Sequence, residues 1–325
     1  MRIASFNVEN LTDARKAAAP LSERLDALRP QLTRLAADII CLQEVDASKN
    51  TDTGTREMSV IDRLLEDTPY ENFHMANSVN PATGIPSDRH NLVVLSRWPI
   101  LNISQHANDL VAAPVYSSVT SEPPESAPVP VAWDRPILHV QIEMPGGQRL
   151  HMLNLHLKAP LAAHIPGQKI GPFSWRSVPG WAEGYFLAAI KRSGQALEAR
   201  LAIDQVFDAD EKSLIAIAGD FNSEEREAPL RILLGDIEDT GNGRLAGRQL
   251  ALLEHSLPES QRFTVIHRGR KLMLDHLLVS RPLLAHYRGI EVHNEMLGDE
   301  LVAYTLVDEA PDSYHAPIVA EFDLT

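Results

Sequence analysis

Six short segments of this chain carry polar residues at or beside the end of an apolar, strand-like run. They span residues 6–10, 42–45, 154–157, 219–222, 274–276 and 313–317. Taken singly, each segment has an ordinary explanation, such as a turn former or a solvated strand end. A strand end lifts its side chain out of the core, however, and open α/β sheets bind ligands beyond such ends. Six such segments in one chain favour strands whose ends meet at one cleft.

The apolar residues predict strands that alternate with helices early in the chain and follow one another directly later. Strands are predicted at residues 2–8, 38–43, 92–95, 137–143, 149–155, 214–218, 274–279 and 317–322. Helices are predicted at residues 22–36, 60–66 and 182–207. Pro30 lies inside the first predicted helix and is expected to kink it or split it in two. This order of elements predicts a layered α/β fold with mixed sheets.

Two stretches rich in Pro, Gly, Ser or Ala are predicted to be loop insertions, at residues 105–135 and 159–181. The first of them could instead be a linker between two domains. The polar segments lie on both sides of it, so we prefer a single domain over residues 1–325.

Charge and composition exclude some classes of protein. The 30 basic and 44 acidic residues give a formal net charge of −14. Proteins that live on duplex DNA usually show a basic surface, although a local basic rim can sit on an acidic body. The single cysteine, Cys41, lies in an apolar run and is predicted to be a buried core residue.

We find no long apolar run and no signal-peptide pattern, so we expect a cytoplasmic protein without a membrane span.

The order and spelling of the polar segments resemble the endonuclease/exonuclease/phosphatase superfamily. Its members include pancreatic-type deoxyribonucleases, abasic-site endonucleases, sphingomyelinases and inositol phosphatases. The resemblance runs from Asn7 to His315 and is closest at residues 39–45, 91–100, 216–222, 274–280 and 315–322. It implies a layered α/β sandwich, with two mixed β-sheets packed together and helices outside, that forms a single catalytic domain. It also implies a metal-dependent phosphoric ester hydrolase.

The resemblance places a metal ion at Asn7 and Glu44, with Glu9 as a further ligand. Carboxylate and amide oxygens suit a hard cation, so Mg²⁺ or Mn²⁺ is the expected cofactor. Many members have an aspartate immediately before the final histidine, whereas this chain has Tyr314. Asp312 either substitutes for that aspartate or is an ordinary loop residue, which leaves the number of metal ions open.

The catalytic residues implied by the resemblance are five. Asp220 would align or deprotonate the attacking water, and Asn222 would hold the phosphate and the water. His156 would lie on the phosphate side. His315 would be the C-terminal catalytic histidine, paired with Asp275. A histidine held by a carboxylate is favoured as imidazolium, which leaves His315 as either a general base or a cationic clamp on phosphate.

Basic residues around the predicted His156 site are candidates for binding phosphate or a second anionic group, or else are solvated surface charges. They are Arg135, Lys158, Lys169, Arg176, Lys191 and Arg192. Trp175 and Trp181 could form a lid or a stacking surface for the substrate, or could anchor their loop.

The first functional hypothesis is a phosphodiesterase that acts on a small or single-stranded substrate. The acidic net charge and the long loops favour it over the alternative, a DNA endonuclease or exonuclease. A phosphomonoesterase and a catalytically inactive binding module of the same fold are further alternatives. Retention of the whole predicted catalytic set argues against the inactive module. No membrane-binding helix or apolar hairpin is recognised that would favour lipid hydrolysis.

Overall fold

Two six-stranded sheets form the centre of the computed structural model, which describes residues 1–14, 19–301 and 311–324. The strands of the first sheet are β1 (Arg2–Leu11), β2 (Ile39–Val45), β5 (His74–Asn77), β6 (Asn91–Ser96), β17 (Tyr287–Val292) and β18 (Ile318–Phe322). Their spatial order is β17-β18-β1-β2-β6-β5. Strands β1 and β2 run parallel, and every other neighbouring pair is antiparallel.

The second sheet repeats this arrangement. Its strands are β7 (Ile100–His106), β10 (Ile137–Glu143), β11 (Arg149–His156), β12 (Leu214–Asp220), β13 (Ala251–Leu252) and β16 (Asp275–Val279). Their spatial order is β13-β16-β12-β11-β10-β7, and only β11 and β12 are parallel. Each sheet therefore has one parallel pair at its centre, flanked by antiparallel strands.

The two sheets pack face to face, and helices cover their outer faces. The helices are α1 (Leu21–Leu35), α2 (Ser59–Leu65), α3 (Val178–Ala209), α4 (Ala228–Leu234), α5 (Ile237–Thr240) and α6 (Arg281–Leu284). One apolar cluster joins the inner faces of both sheets. A second joins the first sheet to α1 and α2, and a third joins the second sheet to α3 and α4. The predicted layered sandwich of two mixed sheets with helices outside is confirmed.

Strand β2 shows how the sequence produces these layers. Its run Ile-Ile-Cys-Leu is apolar at every position because both of its faces are buried. Ile39 and Cys41 point into the cluster between the sheets, while Ile40 and Leu42 point toward the helices. Cys41 is fully buried, as predicted.

Two helices differ from their predicted form. Helix α1 runs unbroken through Pro30, so the expected split does not occur. It ends at Leu35, and the capping residue Ala36 has a left-handed φ of 46°. Helix α3 begins at Val178, earlier than predicted, because the Ser177 side chain accepts a hydrogen bond from the Gly180 N–H. The predicted insertion at 159–181 therefore ends within this helix.

The described residues also contain short elements that the sequence pattern did not predict. Three small hairpins pair β3 (Ser48–Lys49) with β4 (Arg56–Glu57), β8 (Val115–Tyr116) with β9 (Val129–Pro130), and β14 (Val265–His267) with β15 (Arg270–Leu272). Helices α4 to α6 and the strands β5, β7 and β17 were also unpredicted. None of the described helices has the length and apolarity needed to cross a bilayer.

Candidate active site

The predicted site residues meet at one edge of the sandwich because of the strand directions. The carboxyl ends of the two parallel pairs, β1–β2 and β11–β12, carry Asn7, Glu44, His156 and Asp220. Strands β16 and β18 run antiparallel to β12 and β1, so their first residues reach the same edge. Asp275 opens β16, and His315 lies just before β18. The structure thus brings together side chains that are up to 308 positions apart in sequence.

The backbone bends sharply where these strands end. Five residues at this edge adopt left-handed φ angles between 48° and 63°: Glu9, Asn10, Glu44, His90 and Asn222. Such angles are uncommon outside glycine, and they cluster at functional sites. The β1–β2 ladder also shifts its register after Asn7. These bends take the side chains out of strand alternation and into the cleft between the sheets.

Asn7 links the acidic residues of the two sheets. Its Nδ2 donates to Asp220 Oδ2 at 3.1 Å and to Glu44 Oε1 at 3.4 Å. Its Oδ1 accepts a hydrogen bond from the Glu9 N–H at 2.9 Å. Asn7 therefore fixes the spacing of three carboxylate-bearing positions.

Glu44 is held as a carboxylate. Its Oε2 accepts a hydrogen bond from the Asn10 N–H at 3.1 Å and lies 3.6 Å from His90 Nδ1. Burial raises the pKa of Glu44, but the His90 side chain beside it and the positive charge of Arg135 outweigh burial and lower it. The group is therefore ionised at neutral pH.

Asp220 occupies the centre of the cluster. Its Oδ1 accepts from the Asn222 N–H at 2.8 Å, and its Oδ2 accepts from Asn222 Nδ2 at 3.1 Å. His156 Nε2 lies 3.5 Å from the same Oδ2. Burial and the charge of Asp275 raise the pKa of Asp220 to about 7, against the opposing charge of His315. Near pH 7 this carboxyl can both hold and release a proton.

His315 and Asp275 form a hydrogen-bonded pair, with 2.8 Å between Nδ1 and Oδ2. Burial lowers the pKa of His315, but the charge and hydrogen bond of Asp275 outweigh burial and raise it to about 10. Asp275 is itself placed by Thr264, whose hydroxyl oxygen accepts from the Asp275 N–H at 3.1 Å. The Ser313 hydroxyl accepts from the His315 N–H and donates to the Asn7 carbonyl at 2.7 Å. His315 is therefore an imidazolium paired with the Asp275 carboxylate, and Ser313 fixes its backbone against β1.

His156 has the opposite protonation state. It is buried, and burial together with the charge of Arg135 lowers its pKa well below the usual value. Its Nε2 faces Glu44 at 3.6 Å and Asp220 at 3.5 Å. Its Nδ1 is buried without a hydrogen-bond partner among the described residues. The site thus holds one neutral and one protonated histidine.

Two residues at this edge were missed from the sequence. His90 contacts Glu44 just before strand β6, and the only available signal was its place at the start of a predicted strand. Arg24 of α1 donates to the carbonyl oxygens of Val8 and Glu9 and to those of Pro311 and Asp312. Arg24 therefore ties the end of β1 to the segment that precedes His315. In the sequence, Arg24 has the pattern of an ordinary solvated charge on a helix.

The acidic residues fit a hard divalent cation. Asp220, Asp275 and His315 offer ligand atoms within 4.8 Å of one another, but a protonated His315 has no lone pair for a metal. Glu44 is ionised, and Glu9 is near enough that burial and the Glu44 charge raise its pKa. A cation bound by Glu9 and Glu44 would offset the burial and the mutual repulsion that raise the pKa of Glu9. Carboxylate oxygens of this kind suit Mg²⁺ or Mn²⁺.

Neither Asp312 nor Tyr314 brings a side-chain carboxylate to the position of the aspartate that many family members have before the final histidine. The exposed Asp312 accepts a hydrogen bond through Oδ1 from Gln31 of α1 at 3.3 Å. Tyr314 donates its backbone N–H to Glu9 Oε2 at 2.8 Å. Tyr314 therefore contacts the predicted metal ligand through its main chain.

The basic residues predicted to bind substrate separate into two groups. The charge of Arg135 shifts the pKa values of Glu44, His156 and Lys158, and the charges of Glu44 and Asp220 in turn shift that of Arg135. In contrast, Lys169 donates to Pro172 O at 3.0 Å and lies 4.9 Å above the Trp175 ring. Arg176 pairs with Glu122 of the other insertion. Trp181 contacts Tyr185 on α3, with 5.6 Å between ring centroids. Arg176 thus joins the two insertions, whereas the contacts given for Lys169 and Trp181 are with residues close in sequence. The role of these residues toward substrate stays a prediction.

Comparison with known proteins gives one sequence family and several similar folds. A family model described as "Endonuclease/Exonuclease/phosphatase family" matches residues 4–295. A mannosyl-6-phosphatase from Bacteroides thetaiotaomicron has a similar fold, with a TM-score of 0.60, 13% identity and 100% coverage of both chains. TDP2 from Caenorhabditis elegans gives a TM-score of 0.55 and 16% identity over 99% of this chain and 96% of that chain.

A 3′ phosphatase, NExo from Neisseria, bound to a product DNA hairpin, gives a TM-score of 0.52 and 17% identity over 99% of each chain. At these identities the similarity is one of fold alone. No curated protein matches the sequence significantly.

Proposed function

We propose a function from one premise: this chain belongs to the endonuclease/exonuclease/phosphatase family. Members of this family are hydrolases that act on phosphate esters. We infer that this chain is a divalent-metal-dependent phosphoesterase that hydrolyses a phosphodiester, with residues from both ends of the sequence at its site.

One observation carries the proposal, the environment of Asp220. Hydrolysis needs an oriented water and a group that takes its proton. Asp220 is fixed by hydrogen bonds from Asn7 and Asn222, and its pKa of about 7 matches a general base that works near neutral pH. Asp220 would hold the attacking water and accept its proton, while the Asn222 amide would help to place the phosphoryl group.

The two histidines would have different roles because their protonation states differ. His315 is held as imidazolium by Asp275, so it would stabilise the charge that develops on the phosphoryl oxygens rather than act as a base. Neutral His156 would donate an N–H hydrogen bond beside Asp220.

Glu44 and Glu9, with the amide oxygen of Asn7, would hold the metal ion. A divalent cation supplies charge stabilisation of a phosphoryl oxygen or of the leaving oxygen. Arg24 and the Tyr314 N–H would keep Glu9 in place.

The charge of the site favours a diester over a monoester. The cluster contains four carboxyl groups, those of Glu9, Glu44, Asp220 and Asp275, and a monoester dianion is repelled more strongly than a diester monoanion. The net charge of −14 disfavours duplex DNA, so the nuclease remains the alternative.

The test is hydrolysis of bis-p-nitrophenyl phosphate beside p-nitrophenyl phosphate, each with EDTA, Mg²⁺ or Mn²⁺, and with plasmid DNA in parallel. We expect diester cleavage that requires metal and little turnover of the monoester. Nicking of the plasmid would favour the nuclease, and turnover of the monoester alone would make the protein a phosphatase. No turnover of any ester in any metal would refute the proposed activity on these substrate classes.

A further inference from the structure

A buried glutamine on α3 joins two basic segments beside the site. The Gln195 side chain is 1% exposed. Its Oε1 accepts from the Lys158 N–H at 2.8 Å, and its Nε2 donates to the Arg135 carbonyl at 3.1 Å. Arg192, one turn earlier on α3, donates to the Lys158 carbonyl at 3.1 Å. The backbones that carry Arg135 and Lys158 are therefore fixed to one helix.

These contacts concentrate positive charge in an acidic protein. Arg135, Lys158, Lys191 and Arg192 lie on the segments that these hydrogen bonds join, and Asp134 pairs with two of them. Lys158 Nζ lies 3.6 Å from Asp134, and Lys191 pairs with the same group. Neither Arg135 nor Arg192 forms an ion pair within the described ranges, so positive charge remains in excess beside Asp134 although the chain as a whole is strongly negative.

Arg135 is the cation least satisfied by the protein. Its guanidinium donates one long hydrogen bond, to Leu157 O at 3.5 Å, and forms no ion pair within the described ranges. Burial lowers its pKa, against the charges of Glu44, Asp220 and Asp134. The same Leu157 carbonyl accepts from Asn222 Nδ2 at 3.1 Å, which places Arg135 next to the reacting centre.

Arg192 adds a second unsatisfied donor. It is 6% exposed, and its Nε has no hydrogen-bond partner among the residues that the structure describes. Buried donors without acceptors are costly, so they mark places where an anion would be bound.

We propose that Arg135, Lys158, Lys191 and Arg192 form a second anion subsite, and that the substrate carries a second phosphate group beside the one that is hydrolysed. Arg135 links the two positions, because its guanidinium shares the Leu157 carbonyl with Asn222 and its own carbonyl is held by the glutamine that also holds Lys158. The inference rests on the proposed function for its substrate, but binding at the subsite needs no turnover.

The test compares thymidine 3′,5′-bisphosphate with thymidine 5′-phosphate by calorimetry, with EDTA present to suppress hydrolysis. We expect the bisphosphate to bind about tenfold tighter, the size of one added charged hydrogen-bonding contact. Lys158→Gln and Arg135→Gln should each reduce this ratio toward one. Lys212→Gln removes an exposed lysine on the turn after α3 and should leave the ratio unchanged.

A kinetic measurement accompanies the binding assay. The p-nitrophenyl ester of thymidine 5′-phosphate should show a higher kcat/KM when its 3′ position is phosphorylated, and Lys158→Gln should remove this preference. Equal binding of both nucleotides by the unaltered protein, or a preference that survives both substitutions, overturns the subsite. A protein that hydrolyses no ester but still prefers the bisphosphate refutes the proposed function and leaves the subsite intact.

Discussion

Replacing Asp220 by asparagine should separate activity from stability. Asparagine has the same shape but cannot accept a proton, so we expect kcat to fall by about 10²–10⁴. The ionised Asp220 carboxylate also lowers the free energy of unfolding, because burial disfavours the charged form and raises its pKa from 3.8 to about 7. The unfolded chain therefore binds fewer protons than the folded chain between these pH values, and stability falls as pH rises through this range.

The size of this effect follows from the shift. A difference of about 3 pKa units corresponds to about 4 kcal/mol, fully present above pH 7, at ~1.36 kcal/mol per unit. The Asp220→Asn variant would avoid this cost and keep the hydrogen bond from the Asn222 N–H. Its new amide group, however, would face the Nδ2 donors of Asn7 and Asn222, each 3.1 Å from Asp220 Oδ2. That conflict costs about 1–3 kcal/mol at every pH.

Urea unfolding of both proteins at pH 5 and pH 8 with EDTA measures the difference. The stability of Asp220→Asn relative to the unaltered chain should rise by about 3 kcal/mol between the two pH values. Asp67→Asn is the matched control, because Asp67 is exposed and its left-handed φ of 60° suits asparagine. A relative stability that does not change with pH would refute the argument that Asp220 is destabilised by burial.

Three further substitutions test two parts of the site and the packing of α3. His315→Ala should lower kcat by about 10²–10⁴ while circular dichroism shows a retained fold; unchanged turnover would remove His315 from the mechanism. Tyr314→Phe should leave the Mg²⁺ dependence of turnover intact, because Tyr314 contacts Glu9 through its backbone, and loss of metal dependence would identify the hydroxyl as a ligand. Gly194→Ala should destabilise the fold by about 1–3 kcal/mol, since the added methyl would overlap the Trp133 ring, and an unchanged urea midpoint would contradict this packing.

The sequence predicted the central strands well and the edge strands poorly. Strands β2 and β12 are buried on both faces and read as continuous apolar runs. Strand β7 lies at an edge and reads Ile-Leu-Asn-Ile-Ser-Gln-His, with no buried position, so it gives no apolar period to detect. The split that Pro30 could cause is absent because helix α1 is held by its packed leucine face, which tolerates a missing backbone hydrogen bond.

The candidate site followed the same logic. The strand-end pattern, read with the family resemblance, pointed to Asp220 and His315, which the structure places in one cluster. Their protonation states could not be read from the sequence, because they depend on burial and on partners that are distant in the chain. Arg24 carried no local signal and His90 only its place beside a predicted strand, since each acts through a contact with a different strand.

The pairing of β1 with β18 has a consequence for biosynthesis. Asn7 is synthesised 308 residues before His315, and the strand that pairs with β1 follows His315 in the chain. At about 5–20 residues per second, a ribosome needs about 15–60 s to travel between them. For most of that time the nascent chain carries Asn7, Glu9 and Glu44 without His315. On the proposed mechanism, a chain that ends before His315 should therefore hydrolyse no phosphate ester, and the growing polypeptide should leave those around the ribosome intact.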